Sequence, residues 1–114
     1  MDVSEIIESA LSSVCTIVRK NKYEGPASEY IIYQYIDERP AGNADNIDII
    51  EEVTIRINFY TQQEDYQGQK KAIKKALRNA EFTLISIGEE YDKDTKFTRL
   101  YIDFWIAGDS DVEA

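Results

Sequence analysis

The chain has 114 residues, room for one domain with its own core, and 43% of them are hydrophobic. Thirteen Lys and Arg stand against 22 Asp and Glu, a formal net charge of −9, with no histidine and a single cysteine, Cys15. These counts exclude a Cys/His zinc site, a His-based triad and an internal disulfide, and a lone cysteine suits a reducing compartment. The acidity also argues against a nucleic-acid grip, which needs a clustered positive footprint.

The opening Met1-Asp2-Val3-Ser4-Glu5 is acidic and no continuous apolar region follows it, so no signal peptide is expected. No apolar run approaches the ~18 residues of a membrane helix, and the chain reads as soluble, with no membrane partner.

From Asp2 to about Asn21, apolar residues at Val3, Ile6, Ile7, Ala10, Leu11, Val14, Ile17 and Val18 follow a three-and-four spacing, which predicts an amphipathic helix. Asp2 and Glu5 supply its start, Arg19, Lys20 and Lys22 its end, and Gly25-Pro26 its stop. Tyr30 to Asp37, rich in β-branched and aromatic residues, predicts a strand whose buried face the pattern leaves open. Glu38 to Asp48 then reads as a long acidic loop, a length that is often functional. Between Ile50 and Thr61 the alternation is sharp: Val53, Ile55, Ile57 and Phe59 face the core, and Thr54, Arg56, Asn58 and Tyr60 face away.

Glu64 to Ala80 returns to helical spacing through Tyr66, Ile73, Ala76, Leu77 and Ala80. Two more strands are expected at Phe82 to Ile87 and Phe97 to Ile106, joined by residues 88–96. In the last strand Leu100, Ile102, Phe104 and Ile106 share the core face, and Arg99, Tyr101, Asp103 and Trp105 share the other. Residues 1–107 form a single domain in this reading, and 108–114 a frayed acidic tail.

The order helix, strand, strand, helix, strand, strand favours an α+β two-layer sandwich: a mostly antiparallel four-stranded sheet with both helices on one face. Such a sheet leaves its second face open. On that face stand Arg56, Tyr60, Arg99, Tyr101 and Trp105, with Tyr33 and Tyr35 as further candidates, residue types enriched in protein-contact hot spots. Ordinary cross-strand pairing is the plainer account of the same residues. An RNA-binding platform is disfavoured, because the chain lacks the glycine-aromatic pattern of such sheets and is acidic.

Carboxylates gather at Asp45, Asp48, Glu51 and Glu52, at Glu89, Glu90, Asp92 and Asp94, and at Asp109, Asp111 and Glu113. Asp92-Lys93-Asp94-Thr95-Lys96 lacks the glycine of a calcium loop and carries two repelling lysines, so a solvated hairpin tip is expected. No catalytic pair, metal or cofactor is called for. Lys70, Lys71, Lys74, Lys75 and Arg78 form the one local positive region, either a solvated helix face or a surface for an acidic patch on a neighbouring copy. With acidic loops on other elements, head-to-tail association into a ring is electrostatically possible. Cys15 is expected to be a buried, inert residue, and the scattered glycines form no phosphate-cradling loop.

The series Glu52-Val53-Thr54-Ile55-Arg56-Ile57-Asn58-Phe59-Tyr60-Thr61, then Lys70-Lys71-Ala72-Ile73-Lys74-Lys75-Ala76-Leu77-Arg78-Asn79-Ala80-Glu81-Phe82, then Tyr91 to Lys96 leading into Leu100-Tyr101-Ile102-Asp103-Phe104, resembles the tail-completion and tail-terminator proteins of long-tailed bacteriophages and prophages. The pattern covers about Val3 to Ala107, and its motifs are diffuse, with no catalytic signature. This chain has Asn79-Ala80-Glu81-Phe82 where many members carry a glycine before the aromatic residue.

The resemblance implies a structural, non-enzymatic subunit of the virion that forms a ring, typically a hexamer, at the head-proximal end of the tail. Its implied partners are further copies of itself, the tail-tube protein and a head-completion or connector protein. DNA would pass through the ring without specific binding. A non-viral oligomeric adaptor, or a small acidic binding domain of similar fold, is the alternative.

Overall fold

A computed structural model describes residues 1–40 and 50–109. The elements run α1 (Val3–Leu11), β1 (Val18–Lys20), β2 (Glu29–Pro40), β3 (Ile50–Thr61), α2 (Gln67–Asn79), β4 (Thr83–Asp92) and β5 (Phe97–Asp109). The α+β two-layer plan holds, with five strands in the order β1-β2-β3-β5-β4 rather than four. β1 joins β2 in parallel, and every other neighbouring pair is antiparallel.

The extra strand comes out of the expected first helix. Asp2 caps α1 by accepting from the Glu5 amide at 3.1 Å, and Val3, Ile7 and Leu11 bury one stripe. The helix ends at Leu11, capped by Ser12, and not at Asn21. Serine has weak helix preference, so a turn follows in which the Val14 amide donates to Leu11 O at 3.0 Å, and the β-branched, stiff Ile17 and Val18 then lead into a strand. The Ile31 amide donates to Ile17 O at 2.9 Å and the Asn21 amide to Tyr33 O at 2.9 Å, which ties this segment to β2. Asn21 ends β1 with φ 68°, a left-handed position that asparagine tolerates.

α2 buries Ile73 and Leu77 and closes with two bonds, Phe82 N–H to Leu77 O and Glu81 N–H to Arg78 O, both 2.9 Å. That pair is a Schellman ending, and Leu77 and Phe82 are both buried as the motif requires. Its left-handed residue is Glu81, at φ 73°, where glycine is usual. From there β4 runs to Asp92, past its expected end, and β5 takes in Gly108 and Asp109 from the expected tail.

Both helices share one core with the sheet: Val3, Ile7, Leu11, Ile73 and Leu77 pack with Ile31, Tyr33, Ile55, Ile57, Phe59, Leu100, Ile102 and Phe104. Among the described residues the helices therefore lie on one face and leave the other without a helical layer. Long strands make the molecule elongated, 52 × 24 × 23 Å.

Candidate functional site: the outer sheet face

Strand alternation puts Tyr30, Ile32 and Gln34 of β2, Thr54, Arg56, Asn58 and Tyr60 of β3, and Phe97, Arg99, Tyr101, Asp103 and Trp105 of β5 on the face away from the helices. Registers align them in rows, Tyr30–Tyr60–Arg99–Glu90 and Ile32–Asn58–Tyr101–Gly88 among them. At one end the aromatic rings cluster: Tyr30 stacks on Tyr60 at 4.9 Å, Tyr23 tilts against Tyr30 at 4.7 Å, and Phe97 meets Tyr30 edge-on at 5.7 Å. Tyr30, Tyr60 and Phe97 line a recess of about 380 Å³ whose rim includes Glu90 and Asp92. Burial, with the neighbouring Tyr60 and Tyr23 phenols, raises the pKa of Tyr30. Backbone donation from Asp94 and the Thr95 hydroxyl hold Asp92 below the ordinary carboxylate value.

The centre is a polar lattice across four strands. Arg56 grips Asp103 through Nε to Oδ1 at 2.7 Å and a second guanidinium nitrogen to Oδ2 at 3.0 Å, a bidentate pair. Asp103's hydrogen bond raises the Arg56 pKa further. Asn58 is buried on this face; its amide donates to Ile32 O at 3.1 Å and Gln34 Oε1 at 3.0 Å, and its oxygen accepts from Arg99 Nε at 2.9 Å. Arg99 also reaches Glu90 on β4 at 2.7 Å. The Arg56 and Arg99 guanidinium carbons stand 5.4 and 4.8 Å from the Tyr101 ring, within cation–π range. A group this densely satisfied is held rigidly.

At the far end Trp105, 37% exposed, shares a recess of about 280 Å³ with Ile85, Thr54, Asp37, Arg39 and Glu52. Ile85 is 52% exposed because β4 bulges between Leu84 and Ser86 and turns it outward.

Arg56, Tyr60, Arg99, Tyr101 and Trp105 are thus brought to one face. Tyr33 and Tyr35 are not, which corrects the open reading of their strand. Tyr33 is fully buried beneath α1, its hydroxyl donating to Glu8, and burial followed by that bond pushes its pKa up to about 12. The Tyr35 hydroxyl meets Ser4 Oγ at 2.8 Å. Both point towards the helices because they pair with Ile57 and Ile55, core residues of β3. Past them a bulge at Ile36 resets the parity, which is why Asp37 and Arg39 return to the outer face.

Glu51 and Glu52 sit near the start of β3, half-buried, while Asp45 and Asp48 lie outside the described residues. On α2, Lys70 pairs with Glu89 at 3.9 Å, and Lys71, Lys74, Lys75 and Arg78 line a separate basic recess of about 480 Å³ with Asn79. Cys15 is half-buried, its thiol donating to Ile17 O at 3.4 Å, and burial raises its pKa. Tyr23, Tyr30, Phe97, Ile85 and Gly88 join the face without having been singled out, and Glu90, noted only within a carboxylate cluster, joins it through Arg99. Phe97 shares parity with Arg99 and Tyr101 and was accessible to the same alternation argument; Tyr30 needed the register of β2.

Among the described residues, no group of three or more Cys, Asp or Glu could hold a metal ion, and no helix is long and apolar enough to cross a membrane. No protein-family model matches the chain, and no curated protein matches it. Among solved structures, its fold is similar to a chain from the virion of a native gene transfer agent particle, with a TM-score of 0.60 at 15% identity. That likeness covers 95% of this chain and 92% of the other, so it extends over the whole fold.

Proposed function

We propose that this chain is a structural subunit of a phage-like virion, forming a ring at the head-proximal end of the tail that ends tube growth, joins the tail to the head, or both. The observation that carries the reading is the nearly end-to-end likeness to a virion chain. It agrees with the independent resemblance of the strand-helix-hairpin series to tail-completion and tail-terminator proteins. A rigid outer face of Arg, Tyr and Trp suits a subunit that docks on other rings.

In this reading its partners are further copies of itself, the tail-tube protein and a head-side connector. It is an assembly component rather than an enzyme. The net charge of −9 suits a ring that lets DNA pass without holding it, because like charge repels the phosphates.

Negative-stain images of the protein alone and mixed with tail tubes test the proposal. Rings, and tubes capped at one end, are the expected result. A chain that stays monomeric and binds neither tubes nor head connectors would sink it. Exchanging Asp45, Asp48, Glu51 and Glu52 for Asn and Gln is expected to impair DNA delivery; intact delivery removes the electrostatic part alone.

A further inference from the structure

Among the described residues, β1 and β4 are the edge strands of the sheet, and they carry opposite charge. At β1, Arg19, Lys20 and Lys22 are exposed and make no ion pair among the described residues. At β4, Glu89, Glu90 and Asp92 are exposed; Glu89 and Glu90 each touch a cation of their own chain, yet their side chains remain 42% and 61% open.

The acids and the cations start on adjacent rows and continue in opposite directions along the strands, so a slide of two residues between copies sets Arg19 opposite Glu90 and Lys20 opposite Glu89. The row that begins with Val18 at one edge passes through Ile31, Phe59 and Leu100 and ends at Glu89; the next begins with Arg19 and ends at Gly88. Parity agrees as well. Arg19 lies in an outer-face row, as does Glu90, while Lys20 and Glu89 lie on the helix side.

Strand direction completes the fit. β1 runs with β2, and three antiparallel steps separate β2 from β4, so the two edges run in opposite directions. Copies placed side by side with their strands aligned therefore bring β4 of one against β1 of the next as an antiparallel pair, the better-bonded kind. Among the described residues β4 pairs with no strand but β5 and offers the backbone of its other side. β1 is short, and its Val18 and Lys20 carbonyls already accept from Arg19 Nη1 at 3.2 Å and the Lys22 amide at 2.8 Å. Charge, more than a long ladder, must then choose the partner.

Like edges repel. β4 on β4 sets the acidic run beside itself, and β1 on β1 does the same with cations. We propose that copies of this chain join head to tail, β4 of one against β1 of the next, with Arg19 meeting Glu90 and Lys20 meeting Glu89. This is the heterologous type of contact, which closes into a ring when the rotation between copies divides a full turn. The inference rests on the ring reading above and names the contact that builds it.

Charge reversal tests it by native mass spectrometry. Arg19→Glu/Lys20→Glu/Lys22→Glu gives a chain with two acidic edges, and Glu89→Lys/Glu90→Lys/Asp92→Lys one with two basic edges. Each alone is expected to stay monomeric with a wild-type circular dichroism spectrum. Mixed one to one, they are expected to assemble with the two chains in equal number, a rescue that misfolded chains do not produce. Wild-type assembly that persists unchanged in either variant, or a mixture that stays monomeric, overturns the edge contact and leaves the ring standing. So does loss of assembly on Lys71→Glu/Lys74→Glu/Lys75→Glu with the edge variants unaffected. A wild-type chain that is monomeric at its highest soluble concentration, alone and with tail tubes, removes the ring reading and the edge contact with it.

Discussion

Gly88 on β4 and Tyr101 on β5 are paired across the sheet, and the phenol ring occupies the space a side chain at Gly88 would need: a Cβ there would lie 2.2 Å from Tyr101 Cζ. Glycine in mid-strand is normally a weakness. Here it lets the ring lie flat on β4 while Arg56 and Arg99 approach it.

Gly88→Ala is therefore expected to displace the ring and destabilise the fold by about 1–3 kcal/mol, the usual cost of overpacking. In a Tyr101→Ala background the same substitution should cost almost nothing. Chemical denaturation of the four members of this double-mutant cycle measures the coupling; additive losses would show that the two residues do not share the space.

Glu81 holds a left-handed conformation at the end of α2, a position that glycine adopts without steric cost. Glu81→Gly is expected to raise stability by up to about 1 kcal/mol, the relieved strain exceeding the greater freedom of the unfolded glycine. A rise in melting temperature checks this, and Glu81→Ala should show none.

The Tyr33 phenol, raised to about 12 by burial and by its bond to Glu8, gives a pH signature. Between its ordinary value of 10.0 and about 12, the folded state keeps a proton that the unfolded state has lost. Its contribution is thus complete below pH 10.0 and disappears as the pH climbs through about 12. Tyr30 and Tyr66 are raised too, so the informative quantity is the difference from Tyr33→Phe. The variant should lose about 1 kcal/mol at neutral pH and show a shallower alkaline decline in urea midpoints.

Trp105 is more than one-third exposed, so its removal should be felt by a partner more than by the fold. Trp105→Ala is expected to cost about 1 kcal/mol or less in stability. If the far end of the face docks on the tail tube, binding to tubes should weaken at least ~30-fold, as for a hot-spot residue. Co-sedimentation with tubes reads the effect.

The α+β plan and the outer face were legible because β3 and β5 alternate cleanly, Val53 to Phe59 and Leu100 to Ile106 facing one way. The first helix was misjudged because Val14, Ile17 and Val18 fit a helical stripe as well as they fit a strand; only pairing with Ile31 to Tyr33 decides between them. Tyr33 and Tyr35 were ambiguous for a related reason. Apolar residues occupy both parities of β2, and the bulge at Ile36 breaks the alternation that would have sorted them. Asn58 stood on the right face, but its burial depends on Gln34, Ile32 and Arg99 from two other strands, which local spacing does not reveal.

The lattice through Asn58 also bears on how cheaply this face could be recognised. Long side chains such as Arg ordinarily sample many rotamers on a surface and lose that freedom when a partner arrives. Arg56 is already fixed by Asp103, Arg99 by Asn58 and Glu90, and Tyr101 between them over a glycine. Their conformational entropy is surrendered during folding, so a partner docking here would meet a nearly frozen template and keep more of each contact as affinity.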